Sequence, residues 1–165
     1  MGRVQFLIVI LFTSTFAEWR NTSASISPRS VPSSCPVTLR SNIPAVPPPQ
    51  FSKISHPNAF WLGQNQLWTL VTHADGIWGL PRQKVFWFYP TYDWKKESKP
   101  SLVITARRLD GESPAISFSV TNGYRKDWGS FMVSIIDIPK SGCWEIKGSY
   151  AHEALSFIVW VEQSP

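Results

Sequence analysis

The run Gly142-Cys143-Trp144-Glu145-Ile146-Lys147-Gly148, followed by Leu155-Ser156-Phe157-Ile158-Val159-Trp160-Val161-Glu162, decides the fold. In its second half Leu155, Phe157, Val159 and Val161 share one face, leaving Ile158 and Trp160 on the other. Side chains alternate with period two along a strand. The two halves therefore read as a β-hairpin that closes a small sheet domain.

The same period recurs upstream. Leu67, Thr69 and Val71 oppose Trp68 and Leu70. Phe86 and Phe88 oppose Val85, Trp87 and Tyr89. Leu102, Ile104 and Ala106 alternate with Val103, Thr105 and Arg107. Ile116, Phe118 and Val120 alternate with Ser117, Ser119 and Thr121, the cleanest half-buried pattern of the chain. Phe131, Val133 and Ile135 predict one more strand, ending near Pro139. Asp75-Gly76, Asp110-Gly111 and Asn122-Gly123 are turn signals between these runs. No stretch carries a sustained helical period with caps. The expectation is all-β: an immunoglobulin-like antiparallel β-sandwich over residues 59–165, with an extended Pro/Ser-rich N-terminal segment.

In immunoglobulin-like folds an aromatic follows a glycine where the chain turns from one sheet to the next, and its polar tip donates to the backbone. Trp144, after Pro139-Lys140-Ser141-Gly142, takes that place, with its indole N–H as the donor. The immunoglobulin cysteine comes two residues after that aromatic, whereas Cys143 comes one before it. A bridge through Cys143 is therefore not the usual inter-sheet pin.

Residues 1–17 read as a secretory signal: Arg3, the apolar run Val4–Phe12, then Thr15 and Ala17 before a cut. Thr22 and Ala24 offer a second cut. The apolar run is too short to cross a bilayer core of about 30 Å, and no later stretch is longer, so no span is expected in the mature chain. The expected destination is secreted, periplasmic or at the cell envelope. Asn21-Thr22-Ser23 is a formal glycosylation sequon. Two cysteines in an exported chain favour one disulfide, Cys35–Cys143; two free thiols are the alternative if the chain is not exported. The bridge closes a loop of about 109 residues, for which chain entropy gives ~4–5 kcal/mol.

Residues 18–58 read as a linker anchored through Cys35. Most of its regular structure is forbidden by prolines such as Pro47-Pro48-Pro49, which lack the amide donor. Residues 18–34 are expected to be loose and the remainder to lie over the domain.

The formal net charge is +5, carried by scattered pairs such as Lys95-Lys96, Arg107-Arg108 and Arg125-Lys126. Nucleic-acid binders cluster such charge on one face with a recognisable motif, and neither is present. His56, His73 and His152 are far apart in the chain, so no metal site is expected. No Gly-x-Ser-x-Gly elbow or Gly-rich phosphate loop occurs. Asp93, Asp110, Glu112, Asp127, Glu145 and Glu153 could supply a carboxylate pair for a hydrolase. They sit at turns and strand ends, where carboxylates serve solubility. A non-catalytic protein without cofactors is expected.

The chain is rich in aromatics, with nine Trp, ten Phe and four Tyr. Strands apolar on both faces must be covered on both sides, by the proline-rich segment, or else expose a patch. Trp87, Tyr89, Tyr92 and Trp94, beside Lys95 and Lys96, are the candidate binding residues. A protein partner, a sugar chain stacked on the rings with Asp93 on its hydroxyls, and a membrane surface all fit that composition.

The blocks Cys35-Pro36-Val37-Thr38, Gly63-Gln64-Asn65-Gln66-Leu67-Trp68, Arg107-Arg108-Leu109-Asp110 and Gly142-Cys143-Trp144-Glu145 together resemble a group of uncharacterised secreted bacterial proteins, over residues 35–162. The resemblance implies a bacterial, exported origin and supports the disulfide. It implies no activity. The chain departs from the group near Val85–Asp93, where a tryptophan pair beside basic residues gives way to Trp87-Phe88-Tyr89 and a later Trp94. The function expected is an envelope or extracellular binding or structural module acting through an aromatic surface, with an envelope protein or a polysaccharide as partner. A carbohydrate-binding module is the nearer alternative, and a hydrolase the more distant one.

Overall fold

The computed structural model describes residues 30–42, 46–79 and 82–162. The signal reading, the sequon and the first part of the linker lie outside the described residues. Ten strands follow a single 3-10 turn, Arg40–Asn42. They are Ala59–Gln64 (β1), Leu67–Thr72 (β2), Ile77–Trp78 (β3), Arg82–Phe88 (β4) and Val103–Arg108 (β5). Then come Ile116–Phe118 (β6), Val120–Arg125 (β7), Gly129–Asp137 (β8), Gly142–Tyr150 (β9) and Glu153–Val161 (β10).

The protein is a β-sandwich. One sheet has the order β1-β2-β4-β8-β7 and the other β3-β10-β9-β5-β6. Neighbours are antiparallel except β3, which runs parallel to β10. The closing hairpin is the spine of the second sheet: β9 and β10 pair from Gly142↔Val161 to Tyr150↔Glu153. Ala151 and His152 turn it with φ of 48° and 70°, the two left-handed positions of a type I′ turn.

Alternation puts the expected residues between the sheets. Leu67, Val71, Val85, Trp87, Ile104, Ala106, Trp144, Ile146, Leu155, Phe157, Val159 and Val161 share one core. The other faces of β2, β4 and β8 form a second core, Trp68, Leu70, Phe88, Phe131 and Val133, closed by Phe51 and Ile54. β2 and β4, apolar on both faces, are thus covered on both sides, the outer one by the proline-rich segment, whereas Ile158 and Trp160 on the outer face of β10 are half-buried and join neither core. Phe51 packs on Phe88 and Trp61 at centroid distances of 5.3 and 6.0 Å. Trp61 Nε1 donates to Ile54 O at 3.3 Å.

Cys35 and Cys143 form the disulfide, with Cα atoms 5.6 Å apart. Cys143 neighbours Trp144 and so projects from the outer face of its sheet. The segment it holds completes the sheet's edge. β3 has only two residues, so β10 runs past it. There Thr38 takes the next place: its N–H donates to Ile158 O and its Oγ1 accepts from Ile158 N, both at 2.9 Å. Trp144 is fully buried, and its Nε1 donates to Lys140 O, four residues back, at 3.1 Å.

Two readings need correction. Ile116–Thr121 is not one strand. The chain passes at Ser119 from the second sheet to the first, giving β6 and β7. Ile116, Phe118 and Val120 still pack against the inter-sheet core, which is why the alternation continues through the crossing. Asn122-Gly123 is not a turn but the middle of β7, opposite Met132 and Phe131. A β-carbon at Gly123 would lie 2.4 Å from the Phe131 ring, so the glycine makes room for an aromatic across the ladder. The turn falls instead at Lys126–Trp128, before Gly129 with φ of 74°.

Candidate functional site

The four candidate aromatics do not form one exposed patch. Trp87 points into the inter-sheet core, is fully buried, and donates from Nε1 to Ser134 Oγ at 3.2 Å. It is a core residue, because Val85 and Trp87 share the inward face of β4. Tyr92 is also buried. Tyr89 and Trp94 are half-buried. Tyr89, Tyr92 and Trp94 belong to the connection of residues 89–102 between β4 and β5, bounded by Pro90 and Pro100.

This connection is tightly built. Asp93 Oδ1 accepts from Lys95 N at 3.0 Å, and Asp93 O accepts from Lys96 N and Glu97 N at 3.0 Å each. An aspartate that caps its own following backbone favours such a turn. The turn delivers Glu97 inward. Its carboxylate accepts from Ser101 N at 2.6 Å and from Tyr150 Oη at 2.5 Å, and its backbone carbonyl accepts from Tyr92 Oη at 3.2 Å. Tyr150 lies edge-on to Tyr89 and Tyr92, at 5.1 and 6.1 Å. The loop is thereby fastened to the end of β9.

The charges at this clamp follow from its geometry. Burial alone would raise the Glu97 pKa, but the hydrogen bonds from Tyr150 and Ser101 hold it below its ordinary 4.5. Burial, then the charges of Glu97 and Asp93, push Tyr92 up to about 12. Burial, then the hydrogen bond and charge of Glu97, push Tyr150 higher still. Near neutrality the clamp is one carboxylate held by the neutral phenol of Tyr150, with the neutral phenol of Tyr92 on the backbone carbonyl of the same residue.

On the far side the loop leans on β7. Asn122 Nδ2 donates to Trp94 O at 3.0 Å. The Trp94 ring stacks on Tyr124, with centroids 5.6 Å apart and planes 26° from parallel. Tyr124 is 54 % exposed. Beyond it, Arg125 lies over the Trp128 ring at 4.5 Å and pairs with Asp127 at 3.0 Å. The connections after β4, β7 and β9 therefore meet at one end of the sandwich. That end presents two stacked rings and the exposed Lys95, Lys96 and Lys126. Such a surface can bind, by ring contact and by charge.

Tyr124, Asn122, Glu97 and Tyr150 were not legible as members of this site. Asn122-Gly123 signals a turn, which hides Tyr124, and nothing local distinguishes Tyr150 at the end of its strand. The scattered carboxylates have separate partners: Asp93 with Lys96 (3.8 Å), Asp110 with Arg108 (2.7 Å) and Glu145 with Arg107 (3.0 Å). Glu153 accepts from Asn65 at 2.9 Å. His73 stands in the turn after β2, beside Asp75. Among the described residues no three His, Cys, Asp or Glu side chains converge on a metal-sized site. Nor, among those residues, is any helix long and apolar enough to cross a membrane. No family model, curated protein or solved structure matches the chain.

Proposed function

We propose that this protein is an exported, non-catalytic binding module of the bacterial cell envelope with an immunoglobulin-like sandwich. Its recognition surface is the end built from residues 89–102, Tyr124 and Lys126. The observation that carries this reading is the rigid presentation of Trp94. A 14-residue connection would ordinarily cost much ordering entropy on binding; here the Glu97–Tyr150 and Asn122–Trp94 hydrogen bonds have ordered it in advance.

The strand order supports the immunoglobulin-like assignment. With β2, β4, β8 and β7 taken as strands A, B, E and D, the facing strands β5, β9 and β10 fall in the places of C, F and G. The connections at the site are then the B–C, D–E and F–G loops, and B–C and F–G loops serve recognition in variable domains. Trp144 occupies the corner position, and the bond to Lys140 is its closing contact. The disulfide supports export, since such bridges persist in oxidising compartments.

The test is co-sedimentation of the purified mature protein with isolated bacterial envelopes. The wild type is expected in the pellet and the Trp94→Ala/Tyr124→Ala variant in the supernatant, with matching circular dichroism spectra. Equal sedimentation of the two proteins would remove the loop end as the recognition surface.

A further inference from the structure

Four carboxylates stand at the loop end, and all are engaged. Asp93 is held by Lys95 N and Lys96, Asp127 by Arg125, Glu97 by Ser101 N and Tyr150, and Glu153 by Asn65; against them stand five cations, Lys95, Lys96, Lys99, Arg125 and Lys126. The lysines are not matched in the same way. Lys95, Lys99 and Lys126 are exposed, and among the described residues their ammonium groups have no partner. Positive charge left over beside a fixed ring pair calls for a ligand that is anionic and carries flat apolar faces.

We propose that the loop end binds an acidic polysaccharide, one pyranose ring lying against the exposed Tyr124 ring that Trp94 backs and the polymer's carboxylates meeting Lys95, Lys99 and Lys126. The inference rests on the reading of this end as the recognition surface and names its ligand class. The axial C–H groups of a pyranose match the negative face of an aromatic ring. Repeating uronate units place a carboxylate on each neighbouring residue, which suits lysines spread over the connections after β4 and β7 rather than gathered in one pocket. A bilayer fits less well. The exposed residues of the connection are Pro90, Thr91, Lys95, Lys96, Ser98, Lys99 and Ser101; none is an aliphatic or aromatic wedge that would enter the acyl region.

The experiment is affinity electrophoresis of the full mature protein in gels containing polygalacturonate, neutral dextran or no polymer. Flotation with phosphatidylglycerol vesicles runs in parallel. Polygalacturonate alone is expected to retard the wild type, and retardation should fade toward about 1 M salt, where charges are screened within about 3 Å. Lys95→Glu/Lys126→Glu should weaken retention by at least about tenfold, and Trp94→Ala by a similar factor. Lys53→Glu/Lys147→Glu, the same charge change on other surfaces, should retain it. The lysine variants keep the test valid should Trp94→Ala fold poorly. Retention by dextran as strong as by polygalacturonate, equal loss in the control, flotation with the vesicles, or no retardation of the wild type would each overturn the proposal. If envelopes still bind in a Trp94-dependent way while polygalacturonate is ignored, the sugar class falls and the binding module stands. If envelope binding also ignores Trp94, both fall.

Discussion

Gly148 is the position where one added methyl group tests the packing most directly. It lies on the inward face of β9, opposite Leu155 and Ile104, and the Trp87 ring fills the space above it. A β-carbon there would stand 2.5 Å from Trp87 Cζ3 and 2.6 Å from Cη2. Restoring ordinary contact requires the ring to retreat by about 1 Å, inside a core packed as densely as an organic crystal. Overpacking of this kind costs about 1–3 kcal/mol. The retreat also strains the 3.2 Å bond from Trp87 Nε1 to Ser134 Oγ, both groups being fully buried. Losing it adds about 1–3 kcal/mol. Gly148→Ala is thus expected to destabilise by about 2–6 kcal/mol. With a urea slope of about 1–3 kcal/mol/M, the unfolding midpoint should fall by at least about 0.7 M. A companion Trp87→Phe substitution removes the ring atoms that clash, so the double variant should be less destabilised than the sum of the singles by about 1 kcal/mol or more. A loss under about 0.5 kcal/mol for Gly148→Ala, the range of neutral surface changes, would refute the placement of Trp87 between the sheets.

Two further expectations concern the clasp and the clamp. Replacing both cysteines with serine should remove roughly 4–5 kcal/mol on the chain-entropy estimate and speed hydrogen exchange at the Ile158 amide, held by Thr38, more than at Trp160, held by Gly76; equal acceleration at both would deny the segment its place on the β10 edge. The pKa of Glu97 is lowered, so its contribution is present above 4.5 and is lost as pH falls through the folded value; that of Tyr150 is raised, so its contribution is present below 10.0 and is lost only as pH rises through the folded value. Tyrosinate absorbance should accordingly show a late component that Tyr150→Phe diminishes and Glu97→Gln shifts to lower pH, and an unaltered curve in both variants would rule out the clamp.

Much of the sandwich was readable because alternation is a local property. Leu155, Phe157, Val159 and Val161 announce their face whatever they pack against, and so do Val85 and Trp87 against Phe86 and Phe88. The same rule, applied to Trp87, already assigned it to the face of Val85. Knowing which face was inward would have removed it from the binding candidates. Where the local signal serves a distant contact, reading fails. Asn122-Gly123 carries the chemistry of a turn, yet its glycine is there for the Phe131 ring.

The sequence by itself determined an all-β chain, the members of each strand face, the pairing of two cysteines and the bond of the Trp144 indole back to the chain. Period and composition suffice for these, because each depends on neighbours in the chain or on there being only two cysteines. Tertiary structure alone decided that Phe51 and Ile54 seal the outer face of the first sheet, that Thr38 completes the β10 edge, and that Glu97 meets Tyr150 across 53 residues. It likewise decided that Trp94 stacks on Tyr124. Contacts of this kind join groups with no shared local pattern. They form only where the packing of the two sheets brings the ends of β4, β7 and β9 to the same place.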